Sequence, residues 1–326
     1  MRSLPGTRHL TLLGLSLVLA AGCVSDEDGS DGTPNGGIDG GGRVDEFADA
    51  APPEACEKMD ILFVIDNSGS MSEEQTNLIA NFPGFAELIE NYQTASGEPL
   101  DYRIGVTTAG RDVSYTITIP ILNQSIPFTE GGDNGAFRGG CGLDRQWIEK
   151  GDPNVSSTFA CRADVGTGGP GAEMPLLGLE WSLGRRSTDG TNAGFLRDDA
   201  LLAVVMITDQ DDCSREDDGF VIDGNRPSCY TPGDTGLTPL SFYLDFLDTI
   251  KGARGRWASA VIAGPGPGSC TSSFGEAAEA ERMIDFVSQA GDNSSLSSIC
   301  SGDLTAALGQ ALDTFEAVCN RFPPIE

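Results

Sequence analysis

Residues 59–71 read Met59-Asp60-Ile61-Leu62-Phe63-Val64-Ile65-Asp66-Asn67-Ser68-Gly69-Ser70-Met71. The run Ile61 to Ile65 is continuously apolar, the pattern of a parallel strand buried on both faces. It stops abruptly at a turn carrying one carboxylate and two hydroxyls. Open α/β sheets place their ligands beyond the carboxyl ends of such strands. All three side chains offer oxygen, the donor that suits Mg²⁺ or Ca²⁺.

Working outward, further strand-like runs occur at Tyr102–Thr107, Leu201–Thr208 and Trp257–Ala263. Helix-like stretches lie between and after them, at Glu73–Tyr92, Ala172–Leu183, Leu240–Lys251, Glu276–Ala290 and Leu304–Val318. Leu240, Tyr243, Leu244 and Leu247 recur at the spacing of one helical face. Ser72 and Asp303 stand where N-caps belong. The alternation predicts a doubly wound α/β domain, with a mostly parallel central sheet and helices on both faces. Residues 109–165 and 210–238 interrupt the alternation and read as surface insertions, the first with a hairpin strand at Val113–Ile119.

Two more stretches carry oxygen donors at the ends of such elements. Val165-Gly166-Thr167-Gly168-Gly169-Pro170-Gly171-Ala172-Glu173 leads into a helix, and Val204-Val205-Met206-Ile207-Thr208-Asp209 is an apolar strand ending in Thr-Asp. Together with Asp66-x-Ser68-x-Ser70, they resemble the metal-ion-dependent adhesion site of von Willebrand factor type A domains. The resemblance covers most of residues 56–319. It implies a metal site built from Asp66, Ser68, Ser70, Thr167 and Asp209, holding Mg²⁺ (or Ca²⁺ or Mn²⁺). Gln210 stands where the family has glycine and Asp211 follows, so Asp209 and Asp211 both remain candidates for the last ligand.

The donor set is chemically coherent. Two carboxylates balance a divalent charge, hydroxyls add none, and the ion keeps Lewis acidity for one more ligand. A partner's Asp or Glu carboxylate suits that open position. The expected function is therefore binding of a protein or glycan ligand and not catalysis; the rival is a structural protein whose metal only braces loops. Glu173 reads as a first-turn helix residue favoured by the dipole. The acidic run Asp209, Asp211, Asp212, Glu216, Asp217, Asp218 reads as a solvated loop, since it lacks the spacing of a calcium loop. Trp147, Trp181 and Trp257 are isolated and read as packing residues.

The chain has a single histidine, His9. Ser-His-Asp and Cys-His catalysis and His-ligated zinc are thereby excluded from everything that follows it. The formal charge of −29 argues against nucleic acid and anionic lipid surfaces as partners. Nine cysteines fit an oxidising compartment. With Cys23 assigned to lipid, the other eight form no C-x-x-C pair and allow roughly a hundred connectivities. Nearest-neighbour logic pairs Cys141 with Cys161 and Cys213 with Cys229. Cys56–Cys319 then ties the ends of the domain, and Cys270–Cys300 is left.

The N-terminus reads as an export signal, with Arg2 and Arg8 before an apolar run from Leu10 to Leu19. Ala20-Ala21-Gly22-Cys23 resembles a bacterial lipobox, which implies cleavage after residue 22 and acylation of Cys23. More than one acyl chain, at about 0.8 kcal/mol per buried methylene, makes membrane anchoring stable. Loss of the two arginines lowers the charge from −29 to −31. Residues 23–55 then form the lipidated Cys and an acidic Gly-rich tether, 56–319 the domain, and 320–326 a tail. Some 30 residues of such tether reach about 30 Å. Val24 and Ser25 lack the aspartate that retains lipoproteins in the inner membrane of enteric bacteria, which points to the outer membrane of the cell envelope.

Overall fold

The computed structural model describes residues 56–323, apart from 95, 120, 224–225, 230–235 and 303. The signal, Cys23, the tether and the cap at Asp303 lie outside the described residues.

In chain order the strands are β1 (Lys58–Ile65), β2 (Asp101–Thr108), β3 (Val113–Ile119), β4 (Gln124–Glu130), β5 (Ile148–Glu149), β6 (Leu201–Ile207), β7 (Val221–Asp223), β8 (Arg226–Ser228), β9 (Trp257–Ala263), β10 (Cys270–Ser272), β11 (Gly275–Ala277) and β12 (Ser294–Ser298). The helices are α1 (Ser72–Glu90), α2 (Val155–Ala163), α3 (Pro175–Glu180), α4 (Arg186–Thr188), α5 (Leu240–Lys251), α6 (Glu281–Ala290) and α7 (Leu304–Cys319). A widened π turn at Trp181–Arg185 joins α3 to α4.

Six strands make the central sheet, in the order β12-β9-β6-β1-β2-β5, parallel except for the short edge strand β5. Period-two alternation divides its side chains between two cores. Ile61, Phe63 and Ile65 face α1, α2 and α7, whereas Leu62 and Val64 face α3, α5 and α6. Phe63 meets Phe82, Phe85 and Phe159 with ring centroids 6.0, 5.3 and 4.9 Å away. The sheet is thus covered on both faces, and continuous apolar strands are the physical consequence.

Several expectations are corrected by long-range contacts. The Ser-rich β12 pairs with β9 although Ser-Ser-Leu-Ser-Ser lacks an apolar run. The insertion 109–165 contains α2, whose Phe159 is fully buried in the main core. The expected helix at Glu276–Ala290 begins only at Glu281. Its first residues instead extend, with Ala278 N–H donating to Asp209 O at 2.9 Å and Ala280 N–H to Gly264 O at 3.1 Å. Ser72 caps nothing: a 3₁₀ turn at Gly69–Met71 precedes α1, and the Ser72 hydroxyl donates to Glu73.

Disulfides join Cys56–Cys319, Cys141–Cys161, Cys213–Cys229 and Cys270–Cys300, with Cα separations of 5.1, 6.1, 5.4 and 6.1 Å. The first links Cys56, two residues before β1, to the end of α7. The others staple the two insertions and the β10–β11 hairpin. No helix of the described residues is long and apolar enough to cross a membrane.

Candidate metal centre

Register brings the donors together. Ile65 pairs with Thr108 on one side and Ile207 on the other, so β1, β2 and β6 end level. Asp66 and Thr208-Asp209 therefore leave the sheet side by side at its carboxyl edge.

Asp66 is held from several directions. Its Oδ1 accepts from Ser68 N–H at 2.7 Å and its Oδ2 from the Thr208 hydroxyl at 2.9 Å. The amide of Gln75, in the first turns of α1, donates to its backbone carbonyl at 3.0 Å. The hydroxyls of Ser68 and Ser70 lie 2.9 Å apart. The Gln210 amide donates to the Ser70 hydroxyl at 3.1 Å and to Glu173 at 3.2 Å. Gln210, in the place expected for glycine, is thus a brace across the site.

The 165–174 loop closes the third side. Gly169 N–H donates to Asn67 O at 2.7 Å, and a Cβ at Gly169 would stand 2.0 Å from Asn67 Oδ1. A side chain at Gly169 would therefore displace the Asn67 amide. Thr167 is exposed on the same loop, and its carbonyl faces Gly69. Met174 N–H donates to Ala109 O and Cys213 N–H to Glu173 O, which pins the loop's exit and turns Glu173 inward.

The result is a group of three carboxylates, Asp66, Glu173 and Asp209, each with an oxygen within 4.8 Å of the others. All three are buried, at 1%, 2% and 1% exposure. Glu173 departs from its reading as a first-turn helix residue favoured by the dipole, because α3 starts two residues later and Glu173 joins Asp66 and Asp209. Ion pairs of the described residues all involve other carboxylates. Asp209 Oδ1 is buried without a hydrogen-bond partner. Burial, followed by the charge of Asp66, pushes the Asp209 carboxyl up to about 8. Burial and neighbouring carboxylates likewise hold Glu173 well above its usual range, and burial raises Asp66 against its hydrogen bonds. Buried charges persist only when paired or bound to metal. An orphaned oxygen among three desolvated carboxylates and two hydroxyls is a donor set that fits a hard divalent cation.

Asp211 is spoken for. Its carboxylate accepts from the backbone N–H of Arg282 at 2.9 and 3.0 Å and of Met283 at 3.3 Å, at the start of α6. Asp212 accepts from Leu176 N–H, Ser214 and Arg282. Both are buried, so the acidic run is not a solvated loop at these positions. Asp217 and Asp218 pair with Arg215 and Arg111. Of the tryptophans, Trp257 and Trp181 are buried and Trp147 is half-buried against Phe195.

No protein-family model matches the chain, and no curated protein matches it. Among solved structures, it is similar to the pilus adhesin SpaC from Lactobacillus rhamnosus GG in its open conformation (13% identity, TM-score 0.39, 81% of this chain and 30% of that one). It is also similar to proximal thread matrix protein 1 from the mussel byssus with a zinc-occupied MIDAS motif (11%, 0.38, 82% and 47%). A third is the manganese-loaded TRAP protein of Plasmodium vivax (11%, 0.34, 79% and 74%). The chain spans less than half the length of the first two. These are similarities only, and the reading of the site rests on its own residues.

Proposed function

We propose that this chain is a lipid-anchored protein of the cell envelope. Its domain would hold Mg²⁺ (or Ca²⁺ or Mn²⁺) with Asp66, Ser68, Ser70 and Asp209, beside Thr167, and grip a protein or glycan ligand there. The observation that carries the reading is the buried Asp66–Glu173–Asp209 group with its unpartnered Asp209 oxygen. A bound divalent ion supplies a Lewis-acid position for an oxygen of the partner. The residues do the rest: Asp66 is fixed by Ser68, Thr208 and Gln75, Gln210 positions Ser70 against Glu173, and the Gly169–Asn67 bond sets the loop. Cys23 anchors the domain at the outer membrane through the tether. The described residues lack histidine, which supports a binding module in preference to an enzyme.

Calorimetric titration with Mg²⁺ and Mn²⁺, followed by a pull-down from envelope extract, tests the reading. We expect metal uptake in the wild type and none in Asp66→Ala, with capture of the partner lost in EDTA. A protein that holds no metal by elemental analysis and melts identically in EDTA overturns the metal site. Capture that persists in EDTA while the melting point falls assigns the metal a bracing role only.

A further inference from the structure

The metal centre opens on a cleft of about 620 Å³ between the Asp66–Ser70 turn and the β10–β11 hairpin. Asp209, whose Oδ1 is buried without a hydrogen-bond partner, is among the residues that line it. Ser70, Glu73, Gln210, Ser272, Ser273 and Glu276 line its walls. Neither lysine nor arginine is among the lining residues. Glu73 and Glu276 are exposed on opposite sides, one at the start of α1 and one on β11. Glu74 lies behind the hairpin at 3% exposure. Gly275 makes room for it: at φ +130°, a Cβ there would stand 1.6 Å from Glu74 Oε1.

The charges decide what such a cleft accepts. Asp66 and Asp209 suffice to balance a divalent cation. The exposed carboxylates Glu73 and Glu276, with no lysine or arginine beside them, then set the charge at the rim. A partner carboxylate would enter an already negative site, and like charges brought together in this way oppose association. A neutral oxygen, such as a peptide carbonyl, a hydroxyl or an amide, completes the coordination without that cost. Positive charge beside it would meet the two rim carboxylates.

We infer that the metal-bound partner is a basic protein segment, which offers a neutral oxygen to the ion and places Lys or Arg between Glu73 and Glu276. This rests on the proposed metal-dependent binding and departs from the acidic side chain expected from sequence. The serine hydroxyls of Ser272 and Ser273 supply hydrogen bonds along the same segment.

The test uses fluorescein-labelled, end-blocked pentapeptides Gly-Lys-Gly-Lys-Gly and Gly-Asp-Gly-Asp-Gly, read by anisotropy against the full domain in excess Mg²⁺. Metal uptake is measured separately by calorimetry. We expect the Lys peptide to bind about tenfold more tightly, since two rim pairs attract one peptide and repel the other. The Glu73→Gln/Glu276→Gln double variant changes exposed side chains only and should erase the preference while leaving metal uptake unchanged. Equal or tighter binding of the Asp peptide by a metal-loaded domain overturns the inference and leaves the metal site standing. Binding of neither peptide by the loaded domain also overturns it. Absence of metal uptake overturns the proposed function itself.

Discussion

Asp209→Asn should stabilise the metal-free domain and at the same time abolish any stabilisation by Mg²⁺. The carboxylates of Asp66, Glu173 and Asp209 approach within 4.8 Å. Two unit charges at that distance repel by about 3 kcal/mol at an effective dielectric constant near 20. Burial first, and Asp66 next, push the Asp209 carboxyl from 3.8 to about 8. At about 1.4 kcal/mol per pH unit, that rise caps the destabilisation at roughly 6 kcal/mol. The raised value means that the folded state keeps its proton longer than the unfolded one. Stability of the metal-free protein therefore falls as pH rises from about 4 to about 8. In EDTA at pH 8.5, Asp209→Asn should gain about 3 kcal/mol, or roughly 6–12 °C in melting temperature. At pH 4, where the carboxyl is protonated in the folded state, the two proteins should melt nearly together. Adding Mg²⁺ at a hundredfold over its dissociation constant should stabilise the wild type by about 2.7 kcal/mol and leave the variant unmoved. Thermal unfolding followed by far-ultraviolet circular dichroism reads all of these differences. An Asp209→Asn melting point no higher than wild type at pH 8.5 in EDTA would refute the reasoning, as would a wild-type melting point that is flat between pH 5 and 8.

Asp211→Ala should separate capping from metal binding: losing its bonds to the start of α6 costs about 1–2 kcal/mol, while Mg²⁺ uptake stays intact by calorimetry. Loss of metal uptake in that variant would place Asp211 in the site. Phe159→Ala should cost about 3–5 kcal/mol in denaturant unfolding, since its ring is fully buried against Phe63 and Phe82; a loss under about 1 kcal/mol would show that α2 does not belong to the core. Arg197→Ala leaves the fully buried Asp60 without its partner at 2.8 Å. The same unfolding assay should show a loss of about 3–5 kcal/mol, and a neutral result would mean that Asp60 is solvated or protonated.

Local patterning in the sequence was enough to place the sheet's central strands and the turn where oxygen donors cluster. Strands β1, β6 and β9 carry apolar runs that reach both faces, as strands of a covered parallel sheet do, and that information is local. The Asp66–Ser70 turn was equally legible, because oxygen donors end an apolar run abruptly. The tertiary structure alone decided the rest. Glu173 is indistinguishable in sequence from any acidic residue near a helix start. It becomes a member of the carboxylate group because Met174 bonds to Ala109 and Cys213 to Glu173's carbonyl. Asp209 and Asp211 are two residues apart with the same side chain, and the start of α6, some 70 residues later, claims the carboxylate of one and leaves Oδ1 of the other buried without a hydrogen-bond partner. β12 exists because β9 offers an edge to pair with, whatever its serines prefer. Local patterning places the strands and their turns; the sign and number of charges at the site depend on burial, which distant segments of the chain supply.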